Sequence, residues 1–156
     1  MKKVLLAESE NVMPIAFDGL GVKNRSFPLI GTSATGMEML LVPCVTLEMA
    51  KEVVRDNIDV ILCGLHFDES RMFDLLRFVK ADQSLRTIPF LCIKTLEGIV
   101  EPTFNESVKI ATKALGAVGY FDLADRIVKV GHDRAKSEIS DYIENIVIDG
   151  ERFSSF

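Results

Sequence analysis

Asp59 to Pro89, DVILCGLHFDESRMFDLLRFVKADQSLRTIP, decides how the rest of the chain is read. It opens on Val60-Ile61-Leu62-Cys63, an apolar run without polar alternation, as a parallel strand buried on both faces would be. After a turn, Met72, Leu75, Leu76 and Val79 recur at the spacing that lays one face of a helix on a core. A second apolar run, Phe90 to Ile93, follows Pro89. Strand, helix, strand in this order predicts a right-handed crossover between parallel strands.

The alternation extends in both directions. Lys3 to Ala7 reads as a first strand, ended by the polar turn Glu8-Ser9-Glu10. From Asn11 to Gly36, prolines and glycines break the pattern, leaving a short helix over about Pro14 to Leu20 and a brief strand near Phe27 to Ile30. Met37 to Val42 is the next strand, with Pro43 at its end, and Thr46 is the N-cap of a helix carrying Leu47, Ala50, Val53 and Val54 inward. Beyond the run Phe90 to Ile93 come a loop from Lys94 to Asn105, a helix from about Glu106 to Leu115 closed by Gly116, and a strand from Ala117 to Phe121. From Asp122, the apolar or small positions Val128, Gly131, Ala135, Ile139, Tyr142 and Ile146 predict one long helix to about Val147, weakest at Gly131. Glu151 to Phe156 reads as a frayed end with Phe153 and Phe156 able to dock.

This order, and Ala81-Asp82-x-x-Leu85-Arg86-x-Ile88-Pro89 leading into the strand at Phe90, resembles the receiver domains of two-component response regulators. The resemblance covers roughly residues 3–10 and 37–130 and does not reach the tail. It implies an α/β fold: a doubly wound, five-stranded parallel sheet of flavodoxin-like order 2-1-3-4-5, here with an irregular first crossover and an extended C-terminal helix. The chain is expected to form one domain over residues 1–156, with a core of about 1–130.

Composition agrees with a packed domain: 48% of the residues are apolar and 26% charged, and the mean hydropathy is slightly positive. The longest apolar run, Met39 to Val45, is far below the roughly 20 residues of a membrane span. The Met-Lys-Lys start is followed too soon by Glu8 and Glu10 for a signal peptide, so a cytoplasmic protein is expected. A net charge of −5 argues against nucleic acid as a partner. Cys44, Cys63 and Cys92, without Cys-x-x-Cys spacing, read as small core residues.

In such sheets the site lies beyond the carboxyl ends of the first and third parallel strands. The receiver resemblance implies there a pair of acids for magnesium, a nucleophilic aspartate, a hydroxyl and a lysine. This chain has Glu8 and Ser9 for the acids, Gly64 for the aspartate, His66 two residues on, Lys94 followed by Thr95 for the hydroxyl, and Leu123-Ala124 for the lysine-proline pair. The switch aromatic is kept as Tyr120, either to report binding or simply to pack. Glycine cannot carry a phosphoryl group, so the resemblance implies a pseudo-receiver.

Lys94 and Glu8 are expected to face one cleft, where they either pair or are separately solvated. His66, Asp68 and Glu69 beside Glu8 offer an improvised zinc or manganese site, against the plainer reading of a solvated loop; no cofactor is expected. His132 reads as a surface residue. No nucleophile elbow or phosphate loop is present, and Gly19-x-Gly21 opens no clear helix.

The leading functional expectation is a non-enzymatic, phosphorylation-independent signalling domain whose partners are proteins, such as a histidine kinase or another regulator. Receivers meet partners through a face that maps here to about Ser107 to Tyr142. The tail stripe Ile139, Tyr142, Ile143 and Ile146 must cover something: a partner or second copy, giving a homodimer, or the irregular 11–36 region of the same chain. The alternative function is a small-ligand or metal-binding sensor or enzyme using the strand-end cleft. Phosphorylation at Ser9 or Thr95 ranks last, since neither has an evident activating base.

Overall fold

The computed structural model describes residues 1–95 and 102–149. The chain runs β1 (Lys2–Ala7), α1 (Met13–Gly19), β2 (Ile30–Thr32), β3 (Glu38–Cys44), α2 (Leu47–Val53), β4 (Val60–Gly64), α3 (Phe67–Ser70), α4 (Met72–Ala81), β5 (Phe90–Lys94), α5 (Pro102–Ala114), β6 (Gly119–Asp122), α6 (Leu123–Val130) and α7 (His132–Ile148). The sheet order is β2-β3-β1-β4-β5-β6, and every pairing is parallel except β2 with β3. β4 and β5 are buried at every residue, which is why they are apolar up to Lys94, the last residue of β5.

Side chains alternate across the sheet into two cores. Leu5, Ala7, Ile61, Cys63, Phe90 and Cys92 face α2, α4 and α5, whereas Val4, Leu6, Leu62, Leu91 and Ile93 face α1, α6 and α7. Thr46 caps α2 by accepting the Met49 N–H at 3.2 Å, and Gly116 takes φ +100° after α5.

Several expectations are corrected. The sheet has six strands: Ile30–Thr32 forms a hairpin with β3 at the edge beyond the five parallel strands, so the order 2-1-3-4-5 gains an antiparallel edge. β3 continues through Pro43 to Cys44, where β2 no longer covers its outer side.

The tail is two helices. Gly131, at φ +89° and ψ 164°, leaves the helical region and lets α7 turn back over the sheet. There the apolar stripe is internal: Ala135, Ile139, Ile143 and Ile146 are at most 3% exposed and pack with Met13, Ala16 and Leu20. Tyr142 alone of the expected interaction residues keeps substantial exposure, at 37%.

Polar contacts hold α7 in this position. The Ala34 N–H donates to Ser140 Oγ at 2.8 Å, the Ser33 and Thr35 hydroxyls donate to Glu144, and Lys136 reaches Asp18 at 3.4 Å. The stripe thus covers the chain's own 11–36 region. Ile139, Ile143 and Ile146 are therefore not a free surface for a second copy, because burying those side chains internally already removes them from water, at about 1.5–3 kcal/mol each. The docking of Phe153 and Phe156, and the loop residues 96–101, lie outside the described residues. Among the described residues no helix is long and apolar enough to cross a membrane.

Candidate functional site

β1 lies between β3 and β4, so the crossovers diverge at its carboxyl end and open a cleft there. Glu8 is the first residue after the strand. Its N–H continues the ladder to the Cys44 carbonyl at 3.2 Å, which aims its side chain across the sheet end, and it is only 2% exposed. The carboxylate lies over Gly64: a methyl group on that glycine would overlap both carboxylate oxygens. Glu8 therefore fills the space that a side chain at position 64 would need.

Around it the surface is apolar. Leu6, Ala16, Leu20, Ile93, Leu123 and Ile139 line a cavity of ≈ 20 Å³, room for about one water molecule. Burial pushes the Glu8 carboxyl up to about 7, against hydrogen bonds from the Ser9 N–H and the Thr95 hydroxyl, which favour the charged form. The Ser9 bond is 3.2 Å long, and the Ser9 carbonyl accepts the Val12 and Met13 N–H groups at the start of α1.

Lys94 does not pair with Glu8. Its ammonium, nearly buried at the end of β5, lies 3.5 Å from Asp122 Oδ2. Register decides this, because Lys94 and Asp122 are direct neighbours on β5 and β6. Asp122 also caps α6 through the Asp125 N–H at 2.9 Å and accepts the Asn105 amide at 3.3 Å. Asn105 Oδ1 in turn accepts the Tyr120 hydroxyl at 2.6 Å. The tyrosine ring packs against the α2/α4/α5 core, and burial raises its hydroxyl pKa. Sequence reasoning missed Asp122 and Asn105; the one available signal was an acid at the end of β6 opposite a lysine at the end of β5.

The other expected residues separate. His66 is exposed. Asp68 accepts the Leu47 N–H at 2.8 Å, capping α2 from a neighbouring loop, and lies 3.8 Å from Arg71. Asp68, Glu69 and Ser70 all have positive φ, so α3 is a strained turn anchored by the fully buried Phe67. Among the described residues no three His, Cys, Asp or Glu side chains converge on a metal position, and the improvised site at His66, Asp68 and Glu69 is not assembled. Leu123, which the resemblance sets at the receivers' lysine position, is buried against the cavity. His132 is on the surface, 3.9 Å from Asp18. The three cysteines are buried and free, and burial pushes the Cys44 thiol up to about 11, that of Cys92 up to about 12, and that of Cys63 up as well.

No protein-family model and no curated protein sequence matches the chain. Solved structures do. A candidate response regulator from Chloroflexus aurantiacus J-10-fl superposes with a TM-score of 0.59 at 16% identity, covering 94% of this chain and 98% of that one. The phosphorylated cyanobacterial phytochrome response regulator RcpA gives 0.60 at 16% identity over 94% of each chain. A response regulator in red light signalling of R. palustris gives 0.56 at 13% identity, over 84% of this chain and 90% of its own. At these identities the likeness speaks to architecture, and the architecture is that of the response-regulator receiver fold.

Proposed function

We propose that this chain is a cytoplasmic signalling domain of receiver fold that acts through protein contacts, without aspartyl phosphorylation and without a reaction of its own. The observation that carries this reading is the occupation of the strand-end cleft by Glu8, whose carboxylate fills the room above Gly64. Phosphoryl transfer needs a carboxylate nucleophile, oxygen ligands for a hard cation and a positive group for the phosphoryl oxygens. Position 64 has no side chain, Ser9 supplies its N–H to Glu8, and Lys94 is paired with Asp122.

Partner contact then falls to the outer surface. On the face that receivers present to partners, Ile110 of α5 and Val128 of α6 are 64% and 72% exposed, and Phe104, just before that face on α5, is 54% exposed. Apolar side chains so placed favour a protein partner, such as a histidine kinase or another regulator.

The test is an amide NMR spectrum of the labelled protein with and without magnesium and beryllofluoride, the stable mimic of an aspartyl phosphate. Unchanged resonances at Glu8, Gly64 and Tyr120 are expected. Saturable shifts there would overturn the reading and put ligand sensing at the cleft ahead of it.

A further inference from the structure

β2 is the sheet edge opposite β6, and the loop entering it has features that the partner face just described does not use. The loop is pinned at both ends: the Gly21 and Val22 N–H groups donate to the Asp18 and Phe17 carbonyls, and the Leu29 carbonyl accepts the Leu41 N–H. Between these anchors Lys23 to Pro28 are exposed. The loop is ordered internally, since Asn24 Oδ1 accepts both the N–H and the hydroxyl of Ser26, and the Arg25 guanidinium lies 5.8 Å from the centre of the Phe17 ring.

Phe27 is 88% exposed, the most exposed large apolar side chain among the described residues. Beside it is a cleft of ≈ 370 Å³ lined by Gly21, Lys23, Phe27, Pro28, Ile30 and Thr32, within the range of about 300–1,000 Å³ usual for ligand sites. Lys23 and Arg25 are the only charged residues between Asp18 and Glu38, in a chain of net charge −5. Among the described residues neither has an ion-pair partner.

We propose that loop 21–32 is a docking site for an acidic peptide segment of a partner protein, which seats an aliphatic side chain against Phe27 and pairs its carboxylates with Lys23 and Arg25. A large polyanion, whether a membrane surface or a nucleic acid, would also meet the acidic remainder of the chain and be repelled by it. A short peptide needs only the local positive charge. The loop is already folded, so binding loses little in ordering it.

The test is an amide NMR titration with a short peptide of alternating glutamate and leucine, its lysine-leucine counterpart, and phosphatidylserine vesicles. The acidic peptide is expected to give saturable shifts confined to residues 21–32. Affinity should fall about fivefold in Phe27→Ser and about tenfold in the double variant Lys23→Glu/Arg25→Glu, and should weaken with salt. All three side chains are exposed, so unchanged far-UV circular dichroism is expected and separates lost binding from lost folding. Three results would overturn the proposal: no saturable shift at millimolar peptide, equal shifts from the lysine peptide, or binding to vesicles alone, which would make the loop a membrane contact. None of these bears on the Glu8 cleft, which the beryllofluoride experiment tests separately.

Discussion

Replacing Glu8 by glutamine should remove a pH dependence of stability that this one carboxyl imposes. In the unfolded chain Glu8 titrates near 4.5, and in the folded chain near 7, because the ionised form is desolvated among Leu6, Ile93, Leu123 and Ile139. The folded state therefore holds the proton more tightly. Its advantage is intact below the unfolded value and is lost as pH rises through the folded one, so stability falls across that window. From 4.5 to about 7 the loss is about 3 kcal/mol, and about 2.5 kcal/mol of it falls between pH 5 and pH 8.

Glutamine is nearly isosteric and can still accept from Ser9 and Thr95, but it never ionises. Whatever fixed cost its amide brings does not change with pH, and the other titrating groups cancel in the comparison. Urea unfolding followed by circular dichroism at pH 5, 6, 7 and 8 should show Glu8→Gln gaining on the wild type by about 2 to 3 kcal/mol over that range, with unchanged m-values. A difference that stays constant within about 0.5 kcal/mol would refute the argument, since it would mean that the Glu8 carboxylate is solvated when charged.

Placing an acid at position 64 should fail for a steric reason. Gly64→Asp drives its side chain into the Glu8 carboxylate and should cost about 3 kcal/mol in a thermal or urea melt, and adding Glu8→Ala should recover at least half of it. The pairing of Lys94 is testable by double-mutant cycles read in the same melts. Lys94→Met should couple to Asp122→Asn by about 1–2 kcal/mol and to Glu8→Gln by less than about 0.5 kcal/mol. Ile143→Ala should destabilise the isolated protein by about 2–4 kcal/mol, as a core truncation does, whereas a side chain waiting for a partner would leave the melt unchanged.

What could be read in the chain is what each segment decides for itself. A strand buried on both faces must be apolar at every position, and a crossover helix must carry an apolar stripe, so Val60 to Ile93 is legible without knowledge of its surroundings. The same holds for the Thr46 cap, which depends only on the Met49 N–H three residues away. The brief strand expected near Phe27 to Ile30 lies instead at Ile30–Thr32, because its bounds are set by the edge of β3 that it pairs with.

Gly131 shows the same division more sharply. The apolar spacing runs through it unbroken, since Val128, Ala135, Ile139 and Ile146 would suit either one helix or two. The decision lies in the burial of Ile139, Ile143 and Ile146 against α1 and the hairpin, which only a bend at the glycine permits.

The site is the least local part of the molecule. Glu8, Gly64, Lys94 and Asp122 come from four strand ends, and one sequence cannot say which of two carboxylates an ammonium will meet. Sequence alone determined that the strand Val60 to Gly64 ends on a residue with no side chain. The tertiary structure determined what fills its place: strand order brings Glu8 over Gly64, and the β5–β6 register turns Lys94 toward Asp122 instead.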